Sequence, residues 1–304
     1  LSASPIRRAL QAVGGLLALA ILAWTVRDAV SEFGAMDLDV RIGRALVATG
    51  LMIVAFLAAI ALWRSLLAAF EARVGFGAAV QLWSFSNLGR YLPGKVWHVV
   101  GAMVVASDVG VRASAAASVA LLAVTLQIGT GAIVALPLLL GLPDRFALAT
   151  VVAGAVALTP LVPLAAPGIV PALLRRLPKS LGGIELPPPA RGQVLGWILA
   201  LVGIWILQGG AFALLGSAFT DVALADVPRW VGAWATAYVI GLLALFAPGG
   251  LGVREGVLAV LLEQLGLTDE AGSVIAVASR LWSIAAEVLV LGLALALRAR
   301  SRRS

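Results

Sequence analysis

Residues 87–98 read NLGRYLPGKVWH and residues 246–257 read FAPGGLGVREGV, two Pro-Gly breaks set inside otherwise apolar stretches. Each break follows an aromatic residue and precedes a cationic residue, a short apolar half-helix and a glycine turn, at Gly110 and Gly266. A long run rich in Ala and Val comes next in both. Pro93 and Pro248 stand 155 residues apart, Gly110 and Gly266 stand 156 apart, and the apolar runs preceding the breaks begin near 42 and 194. The spacing predicts an internal repeat.

Working outward, the solvent of this chain is set by its composition. Of 304 residues, 62% are hydrophobic and 12% charged, with a mean hydropathy of +1.05; an average soluble domain carries roughly 25% charged residues. Apolar runs long enough to cross a hydrocarbon core of about 30 Å, which takes roughly 20 helical residues, fall at 9–26, 42–63, 114–140, 146–164, 194–216 and 272–297. The first of them lacks a small-residue cleavage signature and reads as a retained helix rather than a removed signal. The interrupted stretches 77–106 and 229–265 are apolar too. The expectation is an all-α polytopic membrane protein with six full transmembrane helices and two re-entrant broken-helix hairpins. The first membrane repeat would cover 1–145, and the second 146–304 with a basic tail. Three spans and one hairpin per repeat make an odd number of crossings, so the second copy enters from the opposite face and the repeats are inverted. The segment 182–192, GGIELPPPARG, reads as a linker between them.

Orientation follows from Lys and Arg, which concentrate in cytoplasmic loops. With six spans and two returning hairpins, one side receives Arg7, Arg8, Arg64, Arg73, Arg112, Arg175, Arg176, Lys179, Arg191, Arg298, Arg300, Arg302 and Arg303. The other receives Arg27, Arg41, Arg44, Arg145 and Arg229, alongside Asp221, Asp226, Asp269 and other acids. Thirteen against five places both termini in the cytoplasm. The net charge of +7 is then mostly this bias, suited to anionic lipid headgroups, and no nucleic acid is required as a partner.

Four cations remain inside apolar stretches: Arg90, Lys95, Arg254 and Arg280. Glu255 and Glu287 lie there too. A charge at the bilayer centre costs about 2.5 kcal/mol or more even on the mildest scale, so it persists where paired, wet or functional. Gly/Pro-interrupted segments at matching positions of two halves point to a transporter's midplane site, and irregular backbone is tolerated there only where protein or a water-filled cavity surrounds it. A half-helix starting at each break presents unbonded N–H groups and the positive end of a dipole, with Lys95 and Arg254 close by. Glycines admit close approach of a headgroup, and Arg grips phosphate bidentately. The expected substrate cradle is therefore Arg90, Pro93, Gly94, Lys95, Pro248, Gly249, Gly250, Gly252, Arg254 and Glu255. In it, Glu255 either neutralises Arg254 when the site is empty or meets an amine on the substrate.

Secondary candidates are Asn87, His98, Arg280 and Glu287. Each has a plainer reading: the Pro-Gly breaks as kinks, Arg90 and Lys95 as interfacial snorkellers, and Arg280 with Glu287 as an ion pair seven residues apart on one helix face. Gln127 and Gln208 read as interhelical hydrogen-bonding residues. His98 is the chain's single histidine and Cys is absent. No metal site or HExxH enzyme is therefore expected, no cofactor is called for, and His98 reads as a packing residue.

GRYLPGKVW and PGGLGVRE, in this order and at this distance, resemble the lysylphosphatidylglycerol synthase transmembrane family, over essentially the whole chain. This flippase-like membrane domain occurs alone in many bacteria and archaea, and elsewhere fused to an aminoacyl-transferring domain. The resemblance implies movement of phosphate-bearing lipids, aminoacylated or polyprenyl-linked ones included, between leaflets of a prokaryotic cytoplasmic (inner) membrane. Membrane lipids would be its partners, together with a separate lipid-modifying enzyme. It also carries the motif roles onto the ten cradle residues named above. The sequence continues only as a short basic tail to Ser304, so lipid synthesis by this chain itself is not expected. The rival reading is an ion-coupled carrier of a small anion, which inverted repeats and broken helices suit equally well.

Overall fold

A computed structural model describes residues 40–88, 96–169, 172, 189–244, 247 and 250–301. Its long helices are α1 (Ile42–Ala69), α4 (Ala113–Leu140), α7 (Arg191–Gly216) and α10 (Asp269–Ser301). Between them lie the shorter α2 (Phe76–Leu88), α3 (Val96–Ala106), α5 (Ala147–Ala157), α6 (Leu161–Ala165), α8 (Val227–Leu243) and α9 (Val253–Gln264). Among the described residues five segments are long and apolar enough to cross a membrane: Ile42–Ala69, Ala113–Leu139, Asp144–Ala165, Arg191–Gly216 and Asp269–Leu293. They coincide with five of the six expected spans; the remaining one, 9–26, lies outside the described residues. The chain is thus a multi-pass helical membrane protein. Helices apolar all round are the ones that a bilayer or a core accepts, and here Ile42, Leu46, Leu148, Val151, Leu199 and Ile206 are exposed.

The span expected at 146–164 is divided. Helix α5 stops at Ala157, a turn covers 158–160, and α6 resumes at Leu161. Pro160 has no N–H to give an α-helical ladder and its ring crowds the preceding turn, so Leu161 donates to Leu158 at 3.0 Å instead. The bend fits a notch at Gly129 of α4, where a Cβ would come within 2.4 Å of the Pro160 ring.

The flanks of the two Pro-Gly breaks are short. Helices α2 and α3 have 13 and 11 residues, α8 and α9 have 17 and 12. At about 1.5 Å per residue none alone reaches the roughly 30 Å of a hydrocarbon core. Helix α2 packs on α3 as α8 packs on α9, α3 leans on α4 as α9 leans on α10, and α1 runs along α7. Long helix α4 lies against α8, and α10 against α2; α4 also touches α7 as α10 touches α1. Exchanging α1–α4 for α7–α10 leaves this set of neighbours unchanged.

Contacts between helix ends fix the two poles of the bundle. At one pole Arg41 and Arg44, opening α1, both donate to the Ser217 carbonyl (3.3 and 2.7 Å), and Arg41 also meets Asp221 at 2.7 Å. These cations sit where the carbonyls and the negative dipole end of α7 emerge. At the same pole Arg145 reaches the Gln264 side chain at 2.6 Å and Arg229 its carbonyl at 3.4 Å, uniting the start of α8 with the end of α9. At the other pole Arg112 pairs with Glu71 at 3.5 Å, bringing the segment before α2 beside the one after α3. There too Arg191 donates to Ala165 and Trp197 to Ser65.

Candidate functional site

Trp234, Tyr238 and Gly241 recur at i, i+4 and i+7 along α8, so they share one face, and that face receives the second break. Gly241 has no side chain in the way. A Cβ there would come 3.0 Å from Arg254 Cβ, and a Cβ on Gly250 would come 3.0 Å from the Gly241 backbone. Gly250 and Gly252 adopt φ of 72° and 75°, a region L side chains rarely enter. Their combination lays the 250–252 turn flat on α8 and starts α9 at Val253. Arg254, in the first turn of α9, runs its stem past Gly241 and sets its guanidinium 4.2 Å from the Trp234 ring and 5.1 Å from the Tyr238 ring. Desolvated cation–π contacts of this kind stabilise by about 2 kcal/mol.

The aromatic seat is itself held. Trp234 stacks on Phe212 at 5.1 Å, meets Trp282 edge-on at 5.8 Å, and donates its Nε1–H to Gln208 at 3.5 Å. Tyr238 packs on Trp205 at 5.2 Å, and Trp205 donates to Thr130 Oγ1 at 3.2 Å. Trp282 donates to Thr49 at 3.0 Å.

Glu255 makes two contacts with its two oxygens. Oε2 accepts the Gly252 N–H at 2.8 Å, capping α9, and Oε1 accepts from Arg280 Nη1 of α10 at 3.2 Å. Arg254 and Arg280 retain 6% and 4% of their exposure, so two guanidiniums and one carboxylate are taken out of solvent together. Removing an ion from water costs several kcal/mol even after relaxation; the rings, the carboxylate and the cap are what offset it here. Arg280 thus has a carboxylate partner in Glu255, on the neighbouring helix. Glu287 is half-buried on α10. Glu255 bonds to Arg280, and the Arg254 guanidinium lies over the Trp234 and Tyr238 rings.

The first break differs. Arg90, Pro93, Gly94 and Lys95 lie outside the described residues, as do Pro248 and Gly249 of the second; His98 falls within α3. Asn87 lies in the last turn of α2, and its Nδ2, like the Oγ of Ser84 one turn earlier, is buried with no hydrogen-bond partner among the described residues. Helices α2 and α3 approach closely at Gly101, where a Cβ would stand 3.3 Å from the Phe85 carbonyl oxygen. No group of three potential metal ligands occurs among the described residues. Sequence reasoning missed Trp234, Tyr238 and Gly241, although an i, i+4 aromatic pair on the helix before a buried arginine was a readable signal.

No family model matches the chain, and no curated protein matches it significantly.

Proposed function

We propose that this protein is a lipid translocase that moves phosphate-bearing lipids between membrane leaflets through a site between two re-entrant hairpins of an inverted repeat. The observation that carries the reading is the buried Arg254, Arg280 and Glu255 cluster at a glycine-rich break between half-helices. A guanidinium held on aromatic rings, next to a turn whose backbone a ligand can approach, is a receptor for an anionic headgroup. Supporting the inverted repeat, the ends of α2 and α3 meet at one pole and those of α8 and α9 at the other. The exchange-invariant packing of α1–α4 and α7–α10 supports it as well. In this arrangement each hairpin enters from its own side and turns back near the midplane, and the sixth span is 9–26. Arg90 and Lys95 complete the cradle from the first hairpin. The pole holding Arg112 and Arg191 is cytoplasmic, both termini with it, in a prokaryotic inner membrane. The protein works as a transporter, not an enzyme, with aminoacylated or polyprenyl-linked lipids among its substrates and a separate lipid-modifying enzyme upstream.

Proteoliposomes test this directly. Wild type should accelerate leaflet exchange of labelled phosphatidylglycerol, and Arg254→Ala, which loses a charge-assisted contact of roughly 1.5–3 kcal/mol, should slow it by at least tenfold. Uptake of a soluble phosphorylated or carboxylated anion, with no lipid moved, would replace this reading by an ion-coupled carrier.

A further inference from the structure

The Glu255 carboxylate occupies the place on Arg280 that an anionic ligand would need. It lies 3.2 Å from Arg280 Nη1, beside an arginine already parked on aromatic rings, and only 17% of its side chain is exposed. We propose that Glu255 is a built-in stand-in for the substrate's phosphate, which the headgroup must displace from Arg280 to bind, so that binding unlocks the turn 250–252. The proposal rests on the translocase reading above and adds a specificity rule to it.

The displacement has a mechanical consequence because the same carboxylate caps α9. Its other oxygen accepts the Gly252 N–H at 2.8 Å. A headgroup phosphate that takes Arg280 pushes away an anion tied to the first turn of α9. Turn residues Gly250 and Gly252 hold the left-handed φ values that glycine adopts without strain, so neither carries a side chain to obstruct a shift of Glu255. Arg254 precedes Glu255 in the chain, so the same movement lifts its guanidinium from Trp234 and Tyr238 toward the incoming anion. The site thus exchanges one carboxylate for one phosphate and its local charge does not climb. That exchange keeps the resting cluster tolerable in a low-dielectric interior. It also sets the ligand class. A phosphate or phosphodiester, with oxygens to satisfy both arginines, outcompetes an internal carboxylate, whereas a neutral or zwitterionic headgroup without spare negative charge does not. An amine on the headgroup is then met by the released Glu255.

The test separates binding from movement. Purified protein in detergent is titrated with dihexanoyl phosphatidylglycerol, with glycerol 1-phosphate and with dihexanoyl phosphatidylcholine, by calorimetry. Glu255→Gln keeps the size and a hydrogen-bonding oxygen but weakens the competition. It should bind phosphatidylglycerol about tenfold more tightly than wild type, equivalent to about 1.4 kcal/mol, while leaflet exchange slows by at least tenfold. Glu255→Asp should restore part of the exchange. A merely structural role predicts the reverse pairing, weaker binding together with slower exchange, and that outcome, or an unchanged affinity, overturns the proposal. Tighter binding of glycerol 1-phosphate by Glu255→Gln without lipid movement by wild type would keep the stand-in and sink the translocase reading. Loss of affinity in Glu255→Gln with normal lipid movement by wild type would do the opposite. If neither protein binds any phosphate probe, both ideas fall.

Discussion

The two helix pairs that flank the Pro-Gly breaks, α2 with α3 and α8 with α9, share their neighbours and differ in what they carry. An offset of 155 residues sets Arg254, Glu255 and Arg280 opposite Val99, Val100 and Thr125, and sets Lys95 opposite Gly250. The described cluster of charge lies on α9 and α10, while α3 is apolar at the matching positions. Packing differs in the same sense. Gly101 brings α3 tight against α2, but Gly256, its counterpart, has open space around it, and the close approach in the second hairpin has moved to Gly241 and Gly250. The two pairs thus keep equivalent neighbours, while α2 and α3 meet at a side-chain-free contact between helices and α8 and α9 at one between a helix and a turn. The second pair carries the ionic cluster beside that turn.

Replacing the matched pair Arg280 and Thr125 probes this contrast most strongly. Arg280→Leu leaves the part-buried Glu255 without this cation and should lower stability by up to about 3 kcal/mol, seen as a fall in Tm in detergent. Thr125→Leu, at an exposed position whose hydroxyl bonds only back to Leu121, should stay within about 0.5 kcal/mol of wild type. Restoration of most of the Tm by Arg280→Leu combined with Glu255→Gln would sharpen the assignment of that pair. Equal losses at both positions would dissolve the asymmetry.

Smaller effects follow at the glycines. Gly101→Ala must push against the Phe85 carbonyl and should cost about 1–3 kcal/mol as an overpacked contact. Gly256→Ala meets nothing within 4 Å and should be neutral or stabilise by up to about 1 kcal/mol through helix propensity. Equal effects at the two positions would mean that α3 and α9 are packed alike after all.

The least effect is expected at the pole where α1 meets α7. The hydrogen bond and charge of Arg41, with Arg44 beside it, hold the Asp221 carboxyl below its ordinary value of 3.8. A carboxyl lowered in the folded state contributes stability that is present above the unfolded value and is lost as pH falls through the folded one. Melting temperature compared at neutral pH and below pH 3.8 should show a slightly shallower acid loss for Asp221→Asn than for wild type. The exposed ion pair at the other pole, Glu71 with Arg112, gives a comparison.

Spans were legible because twenty apolar residues in a row have few alternatives to a membrane helix. Five runs read from hydropathy correspond to described helices, with ends shifted by a few residues. The bend at Leu158–Pro160 was visible as a proline, but its acceptance depends on the notch at Gly129, some thirty residues earlier in the chain. The site was half legible. Buried arginines announce themselves by their cost, so Arg254, Glu255 and Arg280 could be singled out. The contact of Arg280 with Glu255 could not be, since it arises from the packing of α9 on α10. Pairing across helices separated by a turn is a tertiary fact, and periodicity carries no information about it.

The seat of Arg254 has an optical consequence. A cation 4.2 Å from an indole ring perturbs that ring's excited state, so the emission of Trp234 depends on whether the guanidinium lies on it. The chain has nine tryptophans and no cysteine, so conservative replacement of the other eight leaves a native reporter on the moving arginine, and a single introduced thiol can carry a quencher without background. Position and motion of the turn then become readable in one molecule, during turnover, from light the protein already emits.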